Sequence, residues 1–211
     1  MLELGDKLDL DVMTVTGRSL GAELEGAVNY NSDVIRPLSH PVYHEGSLAV
    51  LKGNLAPDGA VVKPAAMADK FQKHRGPAIV ADSYVELKDI INDEDYPMTP
   101  DHVLVLRNAG PIGGPGMPEW GMIPMPKALL KQGHRDMVRL SDARMSGTSY
   151  GACILHVAPE AFIGGPLALI KTGDIIELDV PNRSLCVDLS EEELEKRRQA
   201  WVAPAPRYER G

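Results

Sequence analysis

The sequence predicts a mainly β domain of the α/β class, a β-barrel or sandwich with a few helices packed outside it, preceded by an arm. Three observations lead there. Short runs of Val, Ile and Leu recur along the chain, each bounded by Gly, Pro, Asn or Asp. Gly and Pro number 20 and 17 in 211 residues while aromatics make up only 5%, which suits strands and tight loops rather than a helical bundle. The character of the chain also changes at Ser47, from a polar, Pro-interrupted stretch to closely spaced apolar runs.

Residues 1–46 read as an arm or linker. Thr16 or Ser19 is placed to cap a short helix carrying Leu20, Leu24 and Ala27, and the stretch after it, with Pro37 and Pro41, has few apolar positions. Residues 47–211 read as the barrel domain. SLAVLKGNL is a strand, APDGAVVK a turn feeding a second, and GPAIVADSY a third. Ser83 then caps a helix with Val85, Leu87, Ile90 and Ile91 on or near one face. HVLVLRN is a fourth strand, PKALLKQGH a short helix ending at Gly133, and MVRLSD a fifth strand. CILHV, PLALI and DIIELDV continue the sheet. Ser190 and Glu193 form a capping-box pattern opening a last helix, with Glu192/Lys196 and Glu193/Arg197 at i,i+4. The tail APAPRYERG is expected to fray.

Composition narrows the function classes. The net charge is −8, from 22 Lys+Arg against 30 Asp+Glu, and no basic stripe appears, so nucleic acid is not an expected partner. No 18-residue apolar run offers a membrane span, and the acidic N-terminus lacks the apolar stretch of a signal peptide. Cys153 and Cys186 are far apart and fit no metal spacing. A reducing cytoplasm is the expected location.

Two loops could carry chemistry. Gly110–Glu119 holds four glycines and three prolines after a strongly apolar strand, so its backbone can approach a ligand closely, and Glu119 at its exit is a hard oxygen donor that suits Mg²⁺. A glycine-rich turn with a solvated Glu has the same spacing. Asp142–Gly151 offers Ser146, Thr148, Ser149 and Tyr150 at a strand end, where catalytic side chains often sit; a polar turn whose hydroxyls cap the next segment would look alike. Within it, Gly147–Gly151 matches the G-x-S-x-G nucleophile elbow. That motif needs an acid and then a histidine downstream, and the only downstream histidine is His156, with no Asp or Glu between, so a serine hydrolase is set aside. His156 and Glu160 are spaced i,i+4, but Pro159 disfavours the helix a metal pair would need.

Taken in order, GNLAPDGAVVK, VLVLRNAGPIGGPGMPEW, LSDARMSGTSYGACILHVAPEA and GGPLALIKTGDIIELDV resemble the C-terminal part of the dihydroxy-acid dehydratase / phosphogluconate dehydratase family. The likeness covers nearly the whole chain and is densest from Leu48 to Leu189. The run SDARMSGT resembles the sugar-acid branch (arabinonate, xylonate and related aldonate dehydratases) rather than the branched-chain dihydroxy-acid enzymes.

The resemblance implies a swivelling β/β/α barrel like the C-terminal domains of aconitase-like enzymes, with residues 1–46 as the end of the family's N-terminal domain and a linker. It implies a hydro-lyase that converts a 2,3-dihydroxy acid into a 2-keto-3-deoxy acid, using an iron–sulfur cluster and Mg²⁺. By position, Ser146 falls on the serine that removes the C2 proton, Thr148 on a substrate contact and Glu119 on a Mg²⁺ ligand. Trp120 departs from the Met common there.

The family's cluster cysteines and remaining Mg²⁺ ligands belong to its N-terminal domain, and neither Cys153 nor Cys186 falls on a cluster position. The expectation is therefore a fragment, inactive alone, whose partners are a sugar acid, the cluster-bearing N-terminal domain and further copies in a homo-oligomer. A non-catalytic barrel that binds a ligand or partner is the other reading. The two differ in whether the Glu119 and Ser146 loops open onto one mouth.

Overall fold

The computed structural model describes residues 1–114, 116 and 118–206, and the chain divides into two compact units, Met1–Gly46 and Ser47–Gly211. The first unit has a 3₁₀ turn, Leu2–Lys7, and one short helix, α1 (Leu20–Leu24), capped by Ser19, whose hydroxyl accepts the Ala22 N–H at 3.2 Å. Neither element contains a buried residue. Asn29 clips the unit together, its amide donating to Glu3 Oε1 at 2.7 Å and to the Ile35 carbonyl at 2.8 Å.

The second unit is built on eight strands: β1 (Ala49–Leu51), β2 (Gly59–Val62), β3 (Lys73–Ala81), β4 (Val103–Leu106), β5 (Arg139–Ser141), β6 (Cys153–Ala158), β7 (Ile175–Asp179) and β8 (Ser184–Val187). They hydrogen-bond in the order β1-β2-β6-β5-β4-β3-β7-β8. The four central strands, β3 to β6, are parallel; the flanks are antiparallel. The two edges meet at Lys52, whose N–H donates to the Arg183 carbonyl at 2.8 Å and whose carbonyl accepts the Leu185 N–H at 2.9 Å. The sheet is thereby curled into a nearly closed barrel, which protects edges that would otherwise be open.

Side-chain alternation along the parallel strands separates two cores. Ala78, Val103, Val105, Leu140 and Ile154 point into the barrel with Leu51, Leu178 and Leu185. Ile79, Ala81, Leu104 and Leu106 point outward, under α2 (Tyr84–Asn92) and α3 (Lys127–Lys131), against Leu87, Ile91 and Leu129. β4 is consequently buried on both faces, as its unbroken VLVL run suggests. Each buried Val, Leu or Ile among them contributes about 1.5–3 kcal/mol by leaving water. β3 changes partner along its length: Lys73–Pro77 pairs with β7 and Ala78–Ala81 with β4. Pro77, which has no N–H, stands at that changeover.

Several expectations need correction. PLALI is not a strand but a 3₁₀ helix, Pro166–Leu169, opened by Pro166 and sending Leu167 and Leu169 into the barrel core. β8 is an additional strand of four residues, entered through Arg183 in the left-handed region, φ 55°. Val85 is exposed; Leu87 and Ile91 carry the buried face of α2. In the last helix, α4 (Glu191–Ala200), Ser190 caps through the Glu193 N–H at 3.2 Å, but the Glu193 carboxylate turns to Arg197 at 2.8 Å, and Lys196 lies nearest Glu193 at 4.0 Å rather than Glu192. The end of the tail, 207–211, lies outside the described residues.

Candidate active site

β4, β5 and β6 are parallel neighbours, so the loops leaving their carboxyl ends share one rim of the barrel, the place where open α/β sheets usually bind ligands. Buried carboxylates tie these loops together. Asp142, just past β5, accepts the N–H groups of Asn108 at 3.2 Å, Ala109 at 2.9 Å and Ala161 at 2.9 Å, thereby joining the ends of all three strands. Burial pushes its carboxyl pKa up, the Ala109 and Ala161 N–H groups pull it back, and Glu160 raises it again. Glu160, after β6, accepts the Ile112 N–H at 2.9 Å and reaches Gly113 at 3.4 Å. Two glycines of this loop are explained by the packing: a Cβ on Gly110 would fall on the Glu160 carboxylate, and one on Gly113 would meet the Asn108 backbone and Phe162.

The Ser146 loop is pinned from below and behind. Arg139 on β5 is 1% exposed and donates to the carbonyls of Ile123 at 2.8 Å and Tyr150 at 3.1 Å and to Asp136 Oδ1 at 3.0 Å. Asp136 in turn accepts the Ala152 N–H at 2.9 Å. Gly151 is left-handed, φ 77°, and any side chain there would strike Arg139 and Asp136. On the other side the Lys63 ammonium donates to the Ser146, Gly147 and Ser149 carbonyls.

His156 lies on β6 where the pairing with β2 slips register, since Gly59 faces Ala158 but Val61 faces Leu155. Its backbone is left-handed at this bulge, φ 55°, and its Nε2 accepts the Met145 N–H at 2.9 Å. Because it lies on a strand, it is not half of a helical pair with Glu160, and its ring nitrogen is engaged by the loop.

The predicted site residues take the following places. Ser146 is half-buried, and its Oγ is 3.0 Å from Thr148 Oγ1 and accepts the Thr148 N–H at 3.3 Å. Thr148 is exposed. Glu119 lies 46% exposed at the exit of the β4 loop and forms an ion pair with Arg144, from the Ser146 loop. This contact joins the two loops, although an exposed pair contributes at most about 1 kcal/mol. Gly121 lets them approach closely, since a Cβ there would lie 2.7 Å from the Arg144 carbonyl. Trp120 stacks on Tyr84 with ring centroids 5.3 Å apart, so the residue that departs from the family pattern is packed on α2. Met117, two residues before Glu119, lies outside the described residues. Beside these loops a cavity of about 380 Å³ is lined by Pro111, Ile112, Asp142, His156, Glu160 and Ile163, among others.

The elbow-like run does not build an elbow. Gly147–Gly151 joins β5 to β6 with no helix after it, whereas an elbow is a strand-to-helix turn. Ser149 is 5% exposed and its hydroxyl has no partner among the described residues.

The donor set answers differently for the two metal groups. Cys153 is buried, its thiol pKa raised by that burial, and it donates to the Tyr150 carbonyl at 3.3 Å; Cys186 is on β8. These two do not fit a cluster. Among the described residues no three His, Cys, Asp or Glu side chains gather to hold a metal. Glu119 alone fits as a single carboxylate ligand, the number Mg²⁺ often takes from protein when waters and substrate complete its shell.

Barrel and rim define a mainly β domain that presents the loops of its parallel strands on one side. It belongs to the dihydroxy-acid/6-phosphogluconate dehydratase family, whose C-terminal domain matches residues 33–211. It is 49% identical over 213 residues to a 6-deoxy-6-sulfo-D-gluconate dehydratase of Pseudomonas putida, covering all of this chain and 37% of that protein. It is 50% identical over 187 residues to an L-arabonate dehydratase of Azospirillum brasilense, covering 89% and 32%. It is 46% identical over 217 residues to a dihydroxy-acid dehydratase of Methanothrix thermoacetophila, covering 100% and 39%. The chain thus spans between 32% and 39% of the length of these relatives.

Sequence reasoning missed Lys63 and Arg139, and named Asp142 and Glu160 without their bracing role. Those two had a legible signal: each is an acid within two residues of a strand end, beside a glycine-containing loop.

Proposed function

We propose that this chain supplies the proton-transfer half of a hydro-lyase site acting on a sugar acid, with Ser146 as the base, Thr148 as a substrate contact and Glu119 as a Mg²⁺ ligand. The observation that carries the reading is the Glu119–Arg144 pair, which brings the loops of adjacent parallel strands to one mouth. Two loops opening on opposite ends of the barrel would instead favour a non-catalytic module.

In the reaction a 2,3-dihydroxy acid loses its C2 proton and its C3 hydroxide, together one water, and the resulting enol tautomerises to the 2-keto acid. Ser146, deprotonated to its alkoxide before the step, takes the C2 proton on Oγ and ends as the neutral hydroxyl, and Thr148 holds a substrate oxygen. Mg²⁺ bound at Glu119 would supply positive charge against the substrate carboxylate and C2 oxygen. No group of this chain is assigned to the departing hydroxide; that part belongs to a cluster-bearing N-terminal domain, which is the partner we propose.

The run Ser141–Thr148 and the arabonate and sulfogluconate relatives favour sugar acids. The dihydroxy-acid relatives keep branched-chain dihydroxy acids as the second reading. Assaying the complete enzyme against aldonates and against 2,3-dihydroxy-3-methylbutanoate decides between them. Higher kcat/KM for the branched acid would overturn the sugar-acid reading, and no turnover of either would overturn the catalytic one.

A further inference from the structure

We propose that Lys63 is a positioning residue for the reaction: its ammonium group gathers the turn that presents Ser146 and fixes the serine hydroxyl at the mouth. The inference rests on the assignment of Ser146 as base.

Lys63 comes from a different part of the barrel, directly after β2. Its Nζ lies 3.0 Å from the Ser146 carbonyl, 2.9 Å from that of Gly147 and 3.3 Å from that of Ser149. An ammonium has three donors and no acceptor, so these carbonyls match its full complement. Three carbonyl oxygens converging on one point repel one another unless a cation stands between them.

Pro64 holds Lys63 extended, φ −104° and ψ 92°, as a residue before proline tends to be. The same short segment grips the far end of the loop, where the Ala66 carbonyl accepts the Gly151 N–H at 2.7 Å. Residues 63–66 therefore clamp both ends of the Ser146–Gly151 turn. Ser146 Oγ is fixed within that turn by Thr148. Lys63 is bonded to the carbonyl of Ser146 itself, so removing its charge also changes the electrostatic field at that residue.

The test compares Lys63→Met, which keeps the stem and removes the charge, with Lys63→Arg, which keeps the charge in a planar fork that cannot point three donors at one spot. Assays use the complete, cofactor-loaded enzyme. Lys63→Met should lower kcat about 10–100-fold with KM changed less than about threefold. It should move the basic-side rise of the pH profile upward by about one unit and speed amide hydrogen exchange at Gly147–Gly151. Lys63→Arg should restore the pH profile but only part of kcat, and it serves as the probe if the Met variant does not fold.

Wild-type kcat, pH profile and exchange in both variants would overturn the proposal. Ser146→Ala, read by C2 deuterium washout in the same assay, separates the two assignments. Should Ser146→Ala be inactive while the Lys63 variants are normal, only Lys63 is lost; should Ser146→Ala wash out deuterium normally, the base assignment falls and this inference with it.

Discussion

Nε2 of His156 accepts the backbone N–H of Met145 at 2.9 Å, from a bulge where the histidine's own backbone is left-handed. The ring can accept there only if Nε2 carries no proton, so the loop that presents Ser146 depends on a neutral imidazole. Burial lowers the His156 pKa below the usual imidazole range, and Arg144 lowers it further; Asp142 and Glu160 line the same cavity. The unfolded chain therefore binds this proton more readily than the folded one. The stability His156 contributes is complete above about pH 6.5 and is lost as pH falls from there through the lower folded pKa. In His156→Gln, which presents a neutral acceptor at every pH, the denaturant midpoint should depend less steeply on pH between about 7.5 and 5. Identical slopes in the two proteins would show that the bond does not report on folding.

Asp142 is the knot of the rim, since one carboxylate serves backbone donors at the ends of β4 and β6 from the end of β5. In Asp142→Asn one oxygen remains to accept, and an NH₂ group faces N–H donors. Leaving buried amides unpaired costs about 1–3 kcal/mol. Chemical denaturation should register that loss, with faster hydrogen exchange at Asn108, Ala109 and Ala161. A midpoint equal to the parent's would mean that water replaces the carboxylate without cost.

Gly110→Ala tests the same rim by bulk rather than charge. Its Cβ would fall on the Glu160 carboxylate, which must withdraw from the Ile112 and Gly113 N–H groups. Overpacking of this kind costs about 1–3 kcal/mol. Gly147→Ala, where a Cβ meets nothing within 4 Å, is the control and should melt like the parent. Equal melting of both variants would contradict the packing argument.

The central strands and both site loops were legible in the sequence because their signals are local. VLVL is apolar without interruption, and its buried faces follow; the glycines after it announce close backbone approach. PLALI misled because an apolar run at strand length is ambiguous, and Pro166 decided for a 3₁₀ turn. β8 escaped because Ser184 and Cys186 dilute its apolar pattern. The braces were invisible for a different reason. Lys63 and Arg139 bond to backbone carbonyls brought near by the tertiary fold, 83 residues away in the case of Lys63 and Ser146, and a carbonyl leaves no mark in a sequence. The Glu119–Arg144 pair needed the parallel order of β4 and β5 before the two residues could be seen as neighbours.

That pair makes opposite predictions for its two members. Arg144 neutralises Glu119 and so competes with any cation there. In the complete enzyme Glu119→Gln should weaken Mg²⁺ binding by about tenfold or more, equivalent to about 1.4 kcal/mol, because a neutral amide replaces a hard anionic oxygen. Arg144→Met removes the competitor and should tighten Mg²⁺ binding. Calorimetric titration of Mg²⁺ measures both without reference to turnover. Unchanged affinity in the Glu119 variant would remove that residue from the metal site, and weakened affinity in the Arg144 variant would show that the guanidinium supports the cation rather than competing with it.

Ser146 and Ser149 lie in one turn, yet their surroundings set them apart. The Ser146 hydroxyl is half-buried at the mouth beside Thr148, whereas the Ser149 hydroxyl is buried without a partner among the described residues. Ser146→Ala in the complete enzyme should cost about 10²–10⁴ in rate, the usual loss with a general base. It should also suppress C2 deuterium washout while leaving the protein's melting unchanged, since a hydroxyl at the surface of a loop holds little of the core together. Ser149→Ala should retain most of the activity. Removing a buried, unpaired hydroxyl relieves a desolvation cost, so its stability should lie between the parent's and about 1 kcal/mol above it. Rate and melting must be read on both variants, because a collapsed loop would also abolish turnover. The opposite pattern, Ser149→Ala inactive yet stable and Ser146→Ala nearly normal, would move the base by three positions and reverse the functional reading of this loop.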